Sequence, residues 1–446
     1  MPTVSPQLAL TNTTIDSAAV SAANQICRVD ATVTHPPAGD KIKIFIALPI
    51  ANWNGRFQGT GGGGFAGGTP ASLAGPAAQG YATASTDTGH EGASGSFALG
   101  AGGQLDWMLI RDNAYLGIHE MTVTAKALVA AFYGQAPRHS YFNGCSTGGR
   151  QGLMEAQRYP LDYHGILSGA PAINWPKLHV AQAWGQLAMH EAGHYVSPCK
   201  FAAANLAAVS ACDMLDGVKD NIIADPSRCK FDPAVLTRFQ PDQCEAITEA
   251  DAAIIRKIWD GPKRRDGSFL WYGLPRGADF AGLNRGSQPM NITLEWWRYF
   301  LKQDPDWSWK SVTTAQFEQL WDQSVEEFGA VLGTDNPDLG AFRDRGGKAI
   351  LWHGWADPVI FPEGTIDYYQ RVRERMGPRT PDFLRLFMAP GVGHCRGGPG
   401  PEPTGHFEAL VKWVEQGVPP VTLQAVKANV SRPLCQYPLI ACNEAF

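Results

Sequence analysis

The chain has 446 residues, 44% hydrophobic and 18% charged, which is ordinary for a globular protein and long enough for a large core and two domains. A net charge of −5 with no basic run argues against a nucleic-acid partner. No stretch of 18 apolar residues exists, so no membrane-spanning segment is predicted.

The first residues (MPTVSPQLALTNTT) lack a basic segment followed by an apolar one, so they do not make a secretory leader. Either the protein stays in the cytosol or an initiating Met replaces the leader. Residues 41–49 (KIKIFIALP) alternate and then turn apolar, which predicts a strand. Residues 59–68 (GTGGGGFAGG) form a glycine-rich loop. Residues 81–85 predict a short strand ending at TDTGH, and residues 114–133 have helical apolar spacing. An apolar run at 140–142 leads into Gly144-Cys145-Ser146-Thr147-Gly148, and residues 150–158 are helix-compatible. Residues 165–169 read as a further buried strand. Strands alternating with helices predict an α/β fold with a mostly parallel sheet covered on both faces.

The pattern changes after about residue 175. From there to about residue 344 the chain is rich in Trp, Asp and irregular turns, and alternation resumes at residues 348–353. The expected organisation is one core split into residues 1–175 and 345–446, with an insertion over 176–344.

Gly144 to Gly148 spell G-x-S-x-G. A serine hydroxyl needs an adjacent base and must stand clear of the backbone. A sharp strand-to-helix turn provides the second, with glycines where backbones approach. Ser146 is therefore the expected nucleophile. In that arrangement an acid and then a histidine follow in chain order. Asp357 follows an apolar strand in HGWADP, and His394 sits in the glycine loop PGVGHC after an apolar segment at 383–388. His353 and His119 compete for the base; the first falls within a strand and the second within a helix, where packing roles are expected. Cys145 is a rival nucleophile, but the glycines flank Ser146 symmetrically and not Cys145. The Thr147 N–H is one expected oxyanion donor, and Gly62 or Gly63 supplies the other. No G-K-[ST] follows the glycine loop, so nucleotide binding is not indicated.

Nine cysteines are present, none in a zinc-type pair of C-x-x-C units. If Ser146 and His394 touch, Cys145 and Cys395 are close enough to be bridged. That bond would close a loop of roughly 250 residues and contribute on the order of 5 kcal/mol before strain. The spacings of Cys212/Cys229 and Cys435/Cys442 suit local disulfides, so an oxidising, extracytosolic compartment is expected. Residues 212–222 (CDMLDGVKDNI) place three carboxylates around a glycine turn, which suits a hard cation such as calcium.

The motifs CS at 145–146, Asp357 and HC at 394–395, with WNGRF at 53–57, TDTGH at 86–90 and GILSGAP at 165–171, strongly resemble the tannase and feruloyl esterase family. The resemblance runs from about Cys27 to Cys442. It implies an α/β-hydrolase core with a large inserted lid and hydrolysis of aromatic-acid esters: feruloyl, galloyl, chlorogenate-like or mono(2-hydroxyethyl) terephthalate. It implies a structural calcium held by Asp213, Asp216 and Asp220 with the carbonyls of Val218 and Ile222. It also implies a pocket role for Ile360. Two departures stand out. Cys27 lacks its usual partner nearer the N-terminus, and Cys244 lacks its close partner, so Cys199–Cys244 is a possible substitute.

The function expected is that of a secreted serine carboxylesterase acting on a small aromatic ester, most simply a feruloyl ester. Galloyl and terephthalate half-esters are the alternatives; the last requires a cation for its free carboxylate, with Arg276, Arg285 and Arg298 as candidates. Trp296 and Trp297 are candidates to stack on the acyl ring. A non-enzymatic alternative is a calcium-stabilised binder of phenolics or glycans.

Overall fold

The computed structural model describes residues 10–21, 25–238, 244–284 and 286–439. Nine strands form the main sheet: β1 (Thr13–Ser21), β2 (Ile26–Val33), β3 (Ile42–Pro49), β4 (Arg56–Thr60), β5 (Ala82–Thr86), β6 (His139–Cys145), β7 (Gly165–Gly169), β8 (Lys348–Gly354) and β9 (Leu384–Ala389). Their order is β1-β2-β3-β5-β4-β6-β7-β8-β9. The three pairings from β1 to β5 are antiparallel. The remaining pairings, from β5 across to β9, are parallel.

Side chains alternate across the central strands, as strand geometry requires. Phe142, Ile166, Leu351 and Leu386 enter one core with Ile118, Met121, Ala125 and Val129 of the helix Gly117–Tyr133. Their chain neighbours Tyr141, Leu167, Ile350 and Phe387 enter another, with Leu410 and Trp413 of the helix His406–Gln416. Both faces are thus covered, which is why β5 and β7 are buried along their whole length.

One charge pair fastens this cover. Arg56 at the start of β4 donates from Nε and Nη2 to Glu415, at 2.6 and 2.8 Å, and the Tyr141 hydroxyl donates to the same carboxylate at 2.7 Å. The guanidinium, foremost, holds the Glu415 carboxyl down at about 2.

Between β7 and β8 the described residues add no strand to the sheet. They form helices that include Trp175–Ala181, Pro198–Cys212, Glu249–Asp260 and Thr314–Leu332. Trp175–Ala181 and Thr314–Leu332 join an aromatic cluster that also takes in Phe65 of the glycine loop and Ile360 and Phe361 beyond β8, while Pro198–Cys212 and Glu249–Asp260 pack together in a separate cluster around Phe201, Ile255 and Trp259. The insertion therefore packs directly on the loops at the C-terminal ends of the core strands.

Two expected elements shift. The helix expected over 114–133 begins at Gly117, because Asp112–Leu116 form a widened π turn ahead of it. After β9 the chain forms a three-stranded antiparallel sheet, β10 (Glu402–Thr404), β11 (Thr422–Lys427) and β12 (Val430–Cys435), which the sequence did not signal.

Candidate active site

Ser146 sits between β6 and the helix Thr147–Arg158 with φ +63° and ψ −124°. A non-glycine residue holds that conformation only when its surroundings enforce it. Here the Ser146 N–H donates to Gly169 O and its carbonyl accepts from Arg150 N and Ala172 N, each at 3.0 Å. The flanking glycines are dictated by contact: a Cβ on Gly144 would lie 2.5 Å from the Gly148 backbone, and one on Gly61 2.4 Å from Gly148 Cα. The glycine loop is thus pressed against the first turn of the serine's helix.

Asp357 lies just past β8, fully buried. Its Oδ2 is 2.7 Å from His394 Nδ1 and 3.1 Å from His353 Nε2, and its Oδ1 accepts the N–H groups of Val359 and Ile360 at 2.8 and 2.9 Å. Burial alone would raise this carboxyl. The charge of His394 and the hydrogen bonds from both imidazoles outweigh it and hold the group well below the usual carboxylate range. Burial pulls His394 the other way, but the Asp357 charge and hydrogen bond win, and its pKa is raised. With Nδ1 committed to Asp357, Nε2 is the nitrogen left to handle a proton.

His353 is fully buried, consistent with the packing role expected of it, but it also does more. Its Nδ1 meets Thr365 Oγ1 at 2.8 Å and its Nε2 also approaches Ile360 O at 3.1 Å, so it braces the acid. Sequence reasoning missed that contact; the four-residue spacing to Asp357 across a strand end was the available signal. His119 is engaged elsewhere, 2.6 Å from Asp162 and stacked on Tyr159.

Cys145 and Cys395 form a disulfide with Cα atoms 6.0 Å apart. The neighbours of Ser146 and His394 are thereby linked, and Cys145 is removed as a free thiol. Cys199–Cys244 and Cys212–Cys229 are also bonded. Cys435 is disulfide-bonded, and its expected partner Cys442 lies outside the described residues. Cys27 is a buried free thiol.

The Thr147 N–H belongs to the first turn of its helix and has no intrahelical acceptor. The Thr147 hydroxyl donates to Gly64 O at 2.6 Å, tying that turn to the glycine loop. The two loop candidates separate. Gly62 donates its N–H to Gln151 Oε1 at 3.0 Å, while Gly63, bridged to Ala66 through the Ala66 N–H on its carbonyl at 3.1 Å, has no side-chain partner on its own N–H among the described residues. Ile292 of the inserted segment reaches this loop, 3.8 Å from where a Gly64 Cβ would stand.

The remaining candidates fall in different places. Trp296 and Trp297 are fully buried; Trp296 donates to Ser324 Oγ at 2.9 Å and stacks on Phe300, so both are core and not available to a ligand in this conformation. Arg276 lies over the Trp259 ring at 4.9 Å and Arg298 donates to Trp307 O at 3.0 Å. Arg285 is outside the described residues. Ile360 is buried in the aromatic cluster beside the acid it hydrogen-bonds.

In the acidic loop, Asp213 Oδ1 accepts the N–H groups of Asp220 and Ile222 at 3.1 and 3.2 Å, and Asp216 Oδ1 accepts that of Val218 at 3.0 Å. Asp220 also pairs with Arg432 of β12. The oxygen-only donor set suits a hard cation, and among the described residues no hydrogen bond reaches the carbonyls of Val218 or Ile222. The three carboxylates are not drawn together as tightly as two other clusters, and Asp220 would have to share its charge with Arg432. Ile222 packs against the loop of the base: a Cβ on Gly391 would lie 3.0 Å from Ile222 Cγ2.

A family model described as tannase and feruloyl esterase matches residues 27–445. A probable feruloyl esterase of Arthroderma benhamiae is 40% identical over 96% of this chain and 83% of its own length. The mono(2-hydroxyethyl) terephthalate hydrolase of Piscinibacter sakaiensis is 32% identical over 95% and 83%. Among solved structures, feruloyl esterase B from Aspergillus oryzae superposes with a TM-score of 0.85 at 27% identity, covering 96% of this chain and 93% of that one. A tannin acyl hydrolase from Aspergillus niger gives 0.88 at 26%, covering 97% and 90%.

Proposed function

The chain belongs to the tannase and feruloyl esterase family of carboxylic ester hydrolases, and from that premise we propose that it is a feruloyl esterase working through Ser146, His394 and Asp357. The observation that carries the catalytic assignment is the Asp357–His394 contact of 2.7 Å beside a disulfide that joins the residue before Ser146 to the residue after His394.

In this reading, His394 Nε2 takes the Ser146 proton as Oγ attacks the ester carbonyl. Asp357 fixes the tautomer and stabilises the imidazolium. The N–H groups of Thr147 and Gly63 hold the oxyanion. His394 then returns the proton to the departing alcohol, and water, deprotonated by the same imidazole, cleaves the acyl-enzyme. Residues 176–344 act as a lid over this centre, with Ile292 and Ile360 at its edge. The named relatives support a hydroxycinnamoyl ester first and leave galloyl or terephthalate half-esters second.

Calcium is proposed as a structural ion held by Asp213, Asp216, Asp220 and the carbonyls of Val218 and Ile222. It would neutralise the acidic loop and stiffen the segment that packs on Gly391. The disulfides and the likeness to fungal feruloyl esterases support action outside the reducing cytosol.

The test is hydrolysis of methyl ferulate, methyl gallate, chlorogenate and mono(2-hydroxyethyl) terephthalate by wild type and Ser146→Ala. Methyl ferulate or chlorogenate is expected to have the highest kcat/KM, with a loss of about 10⁴-fold or more in the variant. A preference for gallate or the terephthalate ester would replace the substrate while keeping the chemistry. Turnover surviving the substitution would remove Ser146 as the nucleophile.

A further inference from the structure

Apart from Ser146 and from the acidic loop, three ligand-type side chains meet where a partly exposed turn closes over the core. His35 and Asp40 lie on the turn between β2 and β3, and Asp112 opens the π turn before the helix Gly117–Tyr133. One ligand atom from each lies within 4.8 Å of the other two. His35 Nδ1 is 2.6 Å from Asp40 Oδ2, and Glu120 Oε1 stands 3.5 Å from His35 Nε2.

Asp112 is the telling member. Its side chain is completely buried and neither oxygen has a hydrogen-bond partner among the described residues. A buried carboxylate with no donor is costly unless it takes a proton or a cation. The nearest charges that act on it include Asp40, Asp106 and Asp87 on one side and His35 on the other. The comparable cluster of His119, Glu155 and Asp162 differs, because the charges of Lys126 and Arg345 already bear on it.

We propose that His35, Asp40 and Asp112, with Glu120 at the rim, form a second cation site, for a divalent ion of the zinc or manganese type. An imidazole among carboxylates favours those ions over calcium. The adjoining residue shows what it would steady. Asn113 donates to Phe65 O at 3.0 Å and Thr88 Oγ1 at 3.2 Å, and its own carbonyl accepts from Arg150 of the serine's helix at 3.1 Å. The glycine loop and the nucleophile helix thus rest on the turn that the ion would fasten.

The experiment uses the full chain, stripped with chelator and returned to millimolar calcium so that the acidic loop is supplied. ZnCl₂ and MnCl₂ are titrated separately by calorimetry and by thermal melting. Wild type is expected to bind one equivalent of at least one of them and to gain about 3 °C in Tm at a hundredfold excess over Kd. His35→Ala and Asp112→Asn are expected to bind at least about tenfold more weakly, while Asp213→Asn binds as wild type does. His35 lies on a partly exposed turn, so His35→Ala serves if Asp112→Asn fails to fold. No saturable binding of either ion below millimolar, or wild-type affinity in His35→Ala, would overturn the site.

Discussion

Asp357 collects four hydrogen-bonding contacts on two oxygens, from His394, His353, Val359 and Ile360. That concentration explains how a carboxylate stays ionised with no exposure at all. It also sets the pH dependence. In the proposed mechanism protonated His394 cannot accept the Ser146 proton, so the rate is expected to rise as pH passes upward through its pKa. Because Asp357 raises that pKa above 6.5, the acid limb of kcat/KM is expected above 6.5. Asp357→Asn removes the charge and should cost about 10⁴-fold in kcat with little change in KM. A pH–rate series on both proteins checks this; an acid limb below 6.5 in wild type would contradict the coupling. The turn at Ser146 and the pairing of Asp357 with His394 were legible in the sequence because each residue follows a strand in a motif of fixed order. The brace from His353 was not, because a buried imidazole in a strand reads as packing until its partner is placed beside it. Gly62 and Gly63 were equally plausible donors until Gln151, some 90 residues on, was found to occupy one of them.

At the level of elements, the joint between β4 and the helix His406–Gln416 is electrostatic. Glu415 has a folded pKa of about 2, below its ordinary 4.5, owing first to Arg56. A depressed carboxyl contributes stability that is present above its unfolded pKa and is lost as pH falls through its folded one. The contribution should therefore fade between about pH 4.5 and pH 2. After discounting for solvent screening, Glu415→Gln is expected to destabilise by about 1–2 kcal/mol at pH 7. Denaturant melts at pH 7 and pH 3 test it: the gap should narrow at the lower pH, and an unchanged gap would rule out the charge as its source. The central strands were legible because two-sided burial makes them continuously apolar. β1 was not, since its residues are almost all exposed and offer no apolar face. The sheet β10–β12 was missed for a similar reason, with β11 buried only at alternate positions and β12 largely open.

Across the whole molecule, the acidic loop and β11–β12 contact the loop that carries His394. Ile222 contacts Gly391, Asp220 pairs with Arg432 of β12, and the Lys427 amine of β11 donates to Gly398 O at 2.5 Å. If calcium fills the loop, its removal should be felt at His394. Chelation is expected to lower Tm by about 3 °C or more and to lower kcat, both restored by added calcium. An unchanged Tm in chelator would mean that the loop holds itself through Asp213 and Cys212–Cys229 alone. The sequence marks the strand-free stretch between β7 and β8 by a change of composition. The contribution of that stretch to Phe65-, Ile360- and Phe361-centred packing was not legible, since those partners lie far apart in the chain.

The most direct measurement is intact-mass and peptide mapping after reaction with an aryl fluorophosphonate, which traps an activated serine. One adduct per chain is expected, on the peptide carrying Ser146, with none in Ser146→Ala and slow labelling in Asp357→Asn. An adduct on another residue, or wild type left unmodified while it turns over ester, would contradict the assignment of Ser146 as the nucleophile.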